Sequence, residues 1–192
     1  MTIKPVRLGR EEIANGQIES YLLEAERLGI MRRVTPEERA ISRAAALSRY
    51  PRTADGVWVF SYGSLMWNPT FEFDRRDAGT VHGYHRRFCL RTALGRGTPA
   101  CPGYVLALDR GGSCHGVAFR IPAEKVDNEL KLIWDREMVG HAYMARTLKV
   151  RLGSKTVPAI GFVMDRTSDN YVGRLPDTEV ATAIAGAEGP LG

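Results

Sequence analysis

Tyr62-Gly63-Ser64-Leu65 follows directly on the apolar run Val57-Trp58-Val59-Phe60, where a buried strand is expected to end. Gly63 has no Cβ, which opens backbone conformations closed to other residues and lets a ligand come close to the main chain. Successive backbone N–H groups turned toward such a ligand form an anion-binding nest, suited to a carboxylate or to the oxyanion of an acyl-transfer intermediate. An ordinary strand-to-helix turn is the commoner use of such a segment, and residue physics leaves both uses open. The segment is not a P-loop, because no Lys-Ser/Thr follows it. Nor is it a nucleophile elbow, because no glycine stands two residues after Ser64.

The second feature is Glu137. Val126, Leu130, Ile133 and Trp134 fall at i, i+4, i+7 and i+8 of a helical stretch from Glu124 to Met138, so they share one face. At about 100° per residue, Glu137 at i+11 lies near the middle of that stripe. Asp135 and Arg136 are expected to point elsewhere, since adjacent helix positions do not share a face. A carboxylate aimed at an apolar core loses hydration, and its pKa rises toward the range where general acid–base work is done. A helix that frays early would instead release Glu137 to water, and helical phase allows either.

Other candidates carry less. His82 and His85 have the spacing of half a metal site, but no second ligand pair follows and strand alternation separates the two, so no metal is expected. Arg86, Arg87 and Arg91 can clamp a carboxylate, although solvated surface arginines are commoner. Cys89 and Cys114 lie in apolar runs and read as inert core thiols. Trp58, Trp67 and Trp134 read as core or pocket wall.

The elements that must position these residues are legible in outline. An amphipathic helix is expected from Glu11 to Leu28, and a second opens at Thr35-Pro36-Glu37-Glu38, with Thr35 as cap and Glu38 reaching back. Pro51 to Gly56 reads as a linker. Residues 1–55 are therefore expected to form a helical extension set apart from a domain over 56–192. In that domain strands are expected at Val57–Phe60, Ala78–Thr92, Tyr104–Leu108, His115–Ile121, Thr147–Leu152 and Val157–Met164. Asp109-Arg110-Gly111-Gly112-Ser113 reads as a hairpin turn, and Asp177 to Ala187 as a last helix. Mixed order with antiparallel hairpins indicates an α+β fold.

With 192 residues the chain can bury a core without disulfides or metal. Its net charge of +5 is dispersed rather than run together, which suits an acidic small molecule at least as well as nucleic acid. Three cysteines without a CxxC pair, no signal-like N-terminus and no membrane-length apolar stretch lead to the expectation of a cytoplasmic protein with free thiols.

Read together, the motifs resemble the ChaC family of glutathione-specific γ-glutamylcyclotransferases. The resemblance is carried by Val59-Phe60-Ser61-Tyr62-Gly63-Ser64-Leu65-Met66-Trp67, Gly83-Tyr84-His85-Arg86-Arg87-Phe88 and Arg96-Gly97-Thr98-Pro99. It continues through Pro102–Leu108, Gly111–Ala118, Trp134-Asp135-Arg136-Glu137-Met138 and Tyr143, spanning roughly residues 57 to 188. It implies a small mixed β-barrel flanked by helices, preceded here by the N-terminal helical extension, and no metal or organic cofactor. It implies Glu137 as proton acceptor and Phe60, Ser61, Tyr62, Gly63, Ser64, Leu65, Arg87 and Tyr143 as substrate-binding residues. The expected partner is glutathione, with neither nucleic acid nor membrane, and the expected products are 5-oxoproline and cysteinylglycine. Ser61 stands where many relatives have glycine. Relatives also continue into further helices where this sequence ends at Gly189-Pro190-Leu191-Gly192, so those helices are expected to be missing. Cyclisation of other γ-glutamyl amines or amino acids, and non-catalytic metabolite binding, stay open alongside glutathione cleavage.

Overall fold

The computed structural model describes residues 8–51 and 55–189. Linker residues Arg52, Thr53 and Ala54 and the terminal Pro190-Leu191-Gly192, on which expectations fell above, lie outside the described residues. The elements in chain order are α1 (Arg10–Ala14), α2 (Gln17–Arg27), α3 (Pro36–Arg49), β1 (Val57–Ser61), β2 (Arg75–Thr92), β3 (Gly103–Ile121), α4 (Val126–Glu137), β4 (Tyr143–Leu152), β5 (Lys155–Met164) and α5 (Asp177–Gly186). The strands close a barrel in the order β1-β3-β2-β4-β5. The β1–β5 contact is parallel, with Val59 opposite Ile160, and the other pairings are antiparallel. This is the expected α+β fold with a small mixed barrel and flanking helices.

Two local expectations need correction. The helix expected over Glu11–Leu28 is two helices, α1 and α2. Gly16 breaks it by adopting a φ of 78°, a left-handed conformation that costs glycine little. The hairpin expected around Asp109–Ser113 is absent, and both of its arms belong to the single 19-residue strand β3. Gly111 and Gly112, at φ of 103° and 65°, form a bulge instead. The register slips there, from His82 opposite Ser113 to Tyr84 opposite Arg110. Glycine pairs mark both turns and bulges, and only the length of the partner strand β2 decides between them. The start of α3 is as expected: Glu38 N–H donates to Thr35 Oγ1 at 3.2 Å, and Thr35 N–H donates to Glu38 Oε2 at 2.8 Å.

Alternation along β1 divides the core. Val57 and Val59 pack with Leu130, Ile133 and Trp134 of α4, and Phe60 fills the barrel with Val81, Leu108, Leu148, Val150 and Ala159. Burial of each such side chain stabilises by about 1.5–3 kcal/mol. The N-terminal helices are fastened to α4. Ile13, Ile18, Tyr21 and Leu22 pack on Leu132. Arg10 donates twice to buried Glu129, at 2.5 and 2.8 Å, and buried Arg39 donates to Asp135 at 3.1 Å. Tyr50 O–H donates to the Pro158 carbonyl at 2.9 Å and accepts the Trp58 N–H at 3.0 Å. Among the described residues no helix is long and apolar enough to cross a membrane.

Candidate active site

A cavity of about 930 Å³ opens where β1 ends and α4 ends. Phe60, Ser61, Tyr62, Gly63, Ser64, Leu65, Glu137 and Tyr143 all line it, so eight of the residues singled out in the sequence come together. Glu137 is the last residue of α4 and keeps the phase read from the apolar stripe. Only 20% of its side chain is accessible. Burial pushes its pKa up, and the charge and hydrogen bond of Arg136 pull it part of the way back. The result is a carboxylate more basic than usual, facing the cavity.

Arg136 overturns the expectation that it points elsewhere. Its side chain is 3% exposed, and its Nε lies 3.2 Å from Glu137 Oε1. Nη1 donates to the Asn68 carbonyl at 2.7 Å and to Thr70 Oγ1 at 3.1 Å, and Nη2 donates to Ser64 Oγ at 3.0 Å. The helix axis sets where a Cβ starts, but a side chain as long as arginine can turn back to the same side as its neighbour. Arg136 thereby ties the Glu137 carboxylate to the loop after β1.

That loop is a single 3₁₀ turn, Ser64–Met66. Met66 N–H donates to the Gly63 carbonyl at 2.9 Å, and Asn68 N–H donates to the Ser64 carbonyl at 2.9 Å. The N–H groups of Gly63, Ser64 and Leu65 have no acceptor among the described residues, as expected for the first turn of such a helix. Gly63 has φ −133° and ψ −136°, so it does not use the left-handed freedom of glycine. What its missing Cβ provides is room, since a Cβ there would meet no atom within 4 Å.

Tyr62 and Tyr143 complete the polar wall. Tyr62 O–H donates to the Phe162 carbonyl at 2.9 Å, and the two tyrosine hydroxyls stand near enough to influence each other's titration. Burial raises the pKa of both, and the Glu137 charge raises them further, so both remain protonated donors. Ser61 Oγ is buried with no hydrogen-bond partner among the described residues.

Arg87, expected among the substrate-binding residues, is placed elsewhere. On β2 it alternates with Phe88, and it is Phe88 that lines the cavity. Arg87 instead pairs with buried Asp109 at 3.2 Å, and that carboxylate also accepts from Arg166 at 2.7 Å and from Tyr171 at 3.2 Å. His82 and His85 bond to the β3 bulge, through Ser113 Oγ and the Gly111 carbonyl. Cys89 and Cys114 are buried free thiols, and burial pushes the Cys89 thiol up to about 11. Trp67, read as core or pocket wall, does line the cavity, whereas sequence reasoning passed over Leu8, Leu94 and Arg96 there. Arg96 stood inside the quoted motifs, and its chemistry was the available signal.

Residues 57–192 match the family model described as ChaC-like protein. Over 157 residues the chain is 46% identical to the glutathione-specific gamma-glutamylcyclotransferase of Escherichia coli (strain K12), covering 81% of this chain and 68% of that protein. Over 156 residues it is 34% identical to the glutathione-specific gamma-glutamylcyclotransferase 1 of Mus musculus, covering 76% and 69%. Among solved structures, a yeast gamma-glutamyl cyclotransferase specific to glutathione shares the fold, with TM-score 0.66 at 22% identity over 72% of this chain and 81% of that one. The family resemblance carried by the motifs from Val59 to Met138 is therefore borne out, and the chain belongs to the ChaC family.

Proposed function

We propose that this protein is a γ-glutamylcyclotransferase that cleaves glutathione into 5-oxoproline and cysteinylglycine. The observation that carries the reading is the shared cavity: the largely buried carboxylate of Glu137 lines it together with Gly63, Ser64 and Leu65, three consecutive residues whose N–H groups have no acceptor among the described residues. The relatives named for glutathione supply the substrate.

The substrate brings its own nucleophile. Its α-amino nitrogen attacks the γ-carbonyl carbon and closes a five-membered lactam, while the bond to the cysteinyl nitrogen breaks. An α-amino group has a pKa of about 8 and is largely protonated at neutral pH, so a base is required. Glu137 accepts protons from that nitrogen and passes them to the departing cysteinyl amine, which leaves as the new N-terminus. The raised proton affinity of Glu137 favours this role. The oxygen of the tetrahedral intermediate takes hydrogen bonds from the loop N–H groups, each such donor being worth roughly 3 kcal/mol. Tyr62 and Tyr143, both held neutral, orient the γ-glutamyl arm in its cyclising shape, with Tyr143 as the donor because the Tyr62 proton goes to the Phe162 carbonyl. We place the enzyme in the cytoplasm, where reduced glutathione and free thiols such as Cys89, Cys101 and Cys114 persist.

The test is 5-oxoproline release from glutathione, γ-glutamylcysteine and γ-glutamylalanine. Release from glutathione is expected, and release from none of them would end the enzyme reading. Glu137→Gln should lower kcat by about 10²–10⁴-fold with glutathione binding retained. An active Glu137→Gln enzyme would remove Glu137 as the base.

A further inference from the structure

The connection between β2 and β3 forms another wall of the cavity, contributed by Leu94, Gly95 and Arg96. This connection is folded back on itself rather than loose. Thr92 Oγ1 donates to the Leu94 carbonyl at 2.7 Å and accepts the Leu94 N–H at 3.1 Å. Arg96 N–H donates to the same carbonyl at 3.1 Å, and Thr98 and Cys101 exchange backbone hydrogen bonds at 3.0 and 3.2 Å. Arg96 is thus presented to the cavity by a built turn.

The cavity wall holds two cations among its described residues, Arg136 and Arg96. Arg136 is committed to Glu137, Ser64, Asn68 and Thr70. The Arg96 guanidinium has no hydrogen bond or ion pair among the described residues, and its charge is felt by the Tyr143 hydroxyl on the cavity wall. Glutathione carries two carboxylates. The γ-glutamyl carboxylate lies beside the reacting amine, but the glycyl carboxylate lies up to ~7 Å further on, across an extended dipeptide. Beyond the loop and Glu137, the wall is largely apolar, formed by Leu8, Phe88, Leu94, Val105, Leu106 and Val139. A carboxylate entering that part of the cavity finds one uncommitted cation.

We propose that Arg96 is a specificity-determining residue that receives the glycyl carboxylate of glutathione. It separates the tripeptide from γ-glutamyl substrates that lack a carboxylate at that distance. The inference rests on the reading of this cavity as a γ-glutamylcyclotransferase site. A guanidinium–carboxylate contact of the charge-assisted kind is worth about tenfold to a hundredfold in affinity.

The test compares glutathione with its glycine amide, γ-Glu-Cys-Gly-NH₂, on the wild type, Arg96→Gln and Arg96→Lys, with circular dichroism as the check on folding. The wild type is expected to favour glutathione over the amide by about tenfold to a hundredfold in kcat/KM, mostly through KM. Arg96→Gln should remove that preference by lowering only the glutathione value, and Arg96→Lys should restore part of it. Equal losses on both substrates, or a wild type that treats the two alike, would overturn the role of Arg96 while leaving the cyclotransferase standing. Release of 5-oxoproline from neither substrate would overturn the function itself, and the inference with it.

Discussion

Arg136 offers the sharpest test of how the site is built, because it holds Glu137 and the loop with one side chain. Arg136→Gln removes the charge while leaving a shorter hydrogen-bonding group under the loop. The contacts at stake are the Asn68 carbonyl at 2.7 Å, Ser64 Oγ at 3.0 Å, Thr70 Oγ1 at 3.1 Å and Glu137 at 3.2 Å. Breaking a buried pair outright costs about 3–5 kcal/mol. Glutamine keeps at most part of the loop contacts, so a loss of about 2–4 kcal/mol is expected. At roughly 2–4 °C per kcal/mol for a chain of this size, thermal unfolding should come roughly 4–15 °C earlier. The sign of the pH effect follows from the cause. Arg136 holds the Glu137 pKa down against burial, so its removal raises that pKa, and the acid limb of kcat/KM must move to higher pH. Displacement of the loop by even 1 Å adds a loss of about 10²-fold at neutral pH. The assay is kcat/KM for glutathione from pH 5 to 9, beside a thermal melt. Arg136→Lys, which keeps the charge, should leave the limb near its wild-type position while losing part of the rate. A folded, active Arg136→Gln enzyme whose acid limb has not moved would refute the coupling between Arg136 and Glu137.

Two further substitutions separate structure from recognition. Gly63→Ala places a methyl group where no protein atom stands within 4 Å, so the melt should stay within about 1 kcal/mol of wild type. The same methyl fills space beside the loop N–H groups, and kcat/KM should fall by about tenfold or more; unchanged kinetics would move the ligand away from Gly63. Arg87→Ala should leave KM for glutathione unchanged and cost about 1 kcal/mol in a urea melt, because Asp109 retains Arg166 and Tyr171. A KM rise without a stability loss would return Arg87 to the substrate site.

What could be read along the chain was what local rules control. The capping box at Thr35 and Glu38, the buried strand at Val57–Phe60 and the helix carrying Glu137 each depend on residues within a turn or two of one another. Helical period alone put Glu137 on the stripe that packs against the barrel, and the ordered motifs carried the family. Where the outcome depended on a partner far along the chain, the sequence was silent or misleading. Gly111 and Gly112 read as a hairpin until the 18-residue strand β2 ran beside them and made them a bulge. Arg87 was the expected substrate-binding residue until closure of the barrel turned its neighbour Phe88 to the cavity and Arg87 toward Asp109. Arg136 became a cavity residue because Ser64, Asn68 and Thr70, some seventy positions earlier, accept its protons. Leu8 and Arg96 reach the same wall from segments that share no local pattern with β1 or α4. The sequence by itself determined which residue types could do the chemistry. The tertiary structure decided which of them meet, because a buried charge takes its direction from the partner that satisfies it, and closing the barrel determines which partner is in reach.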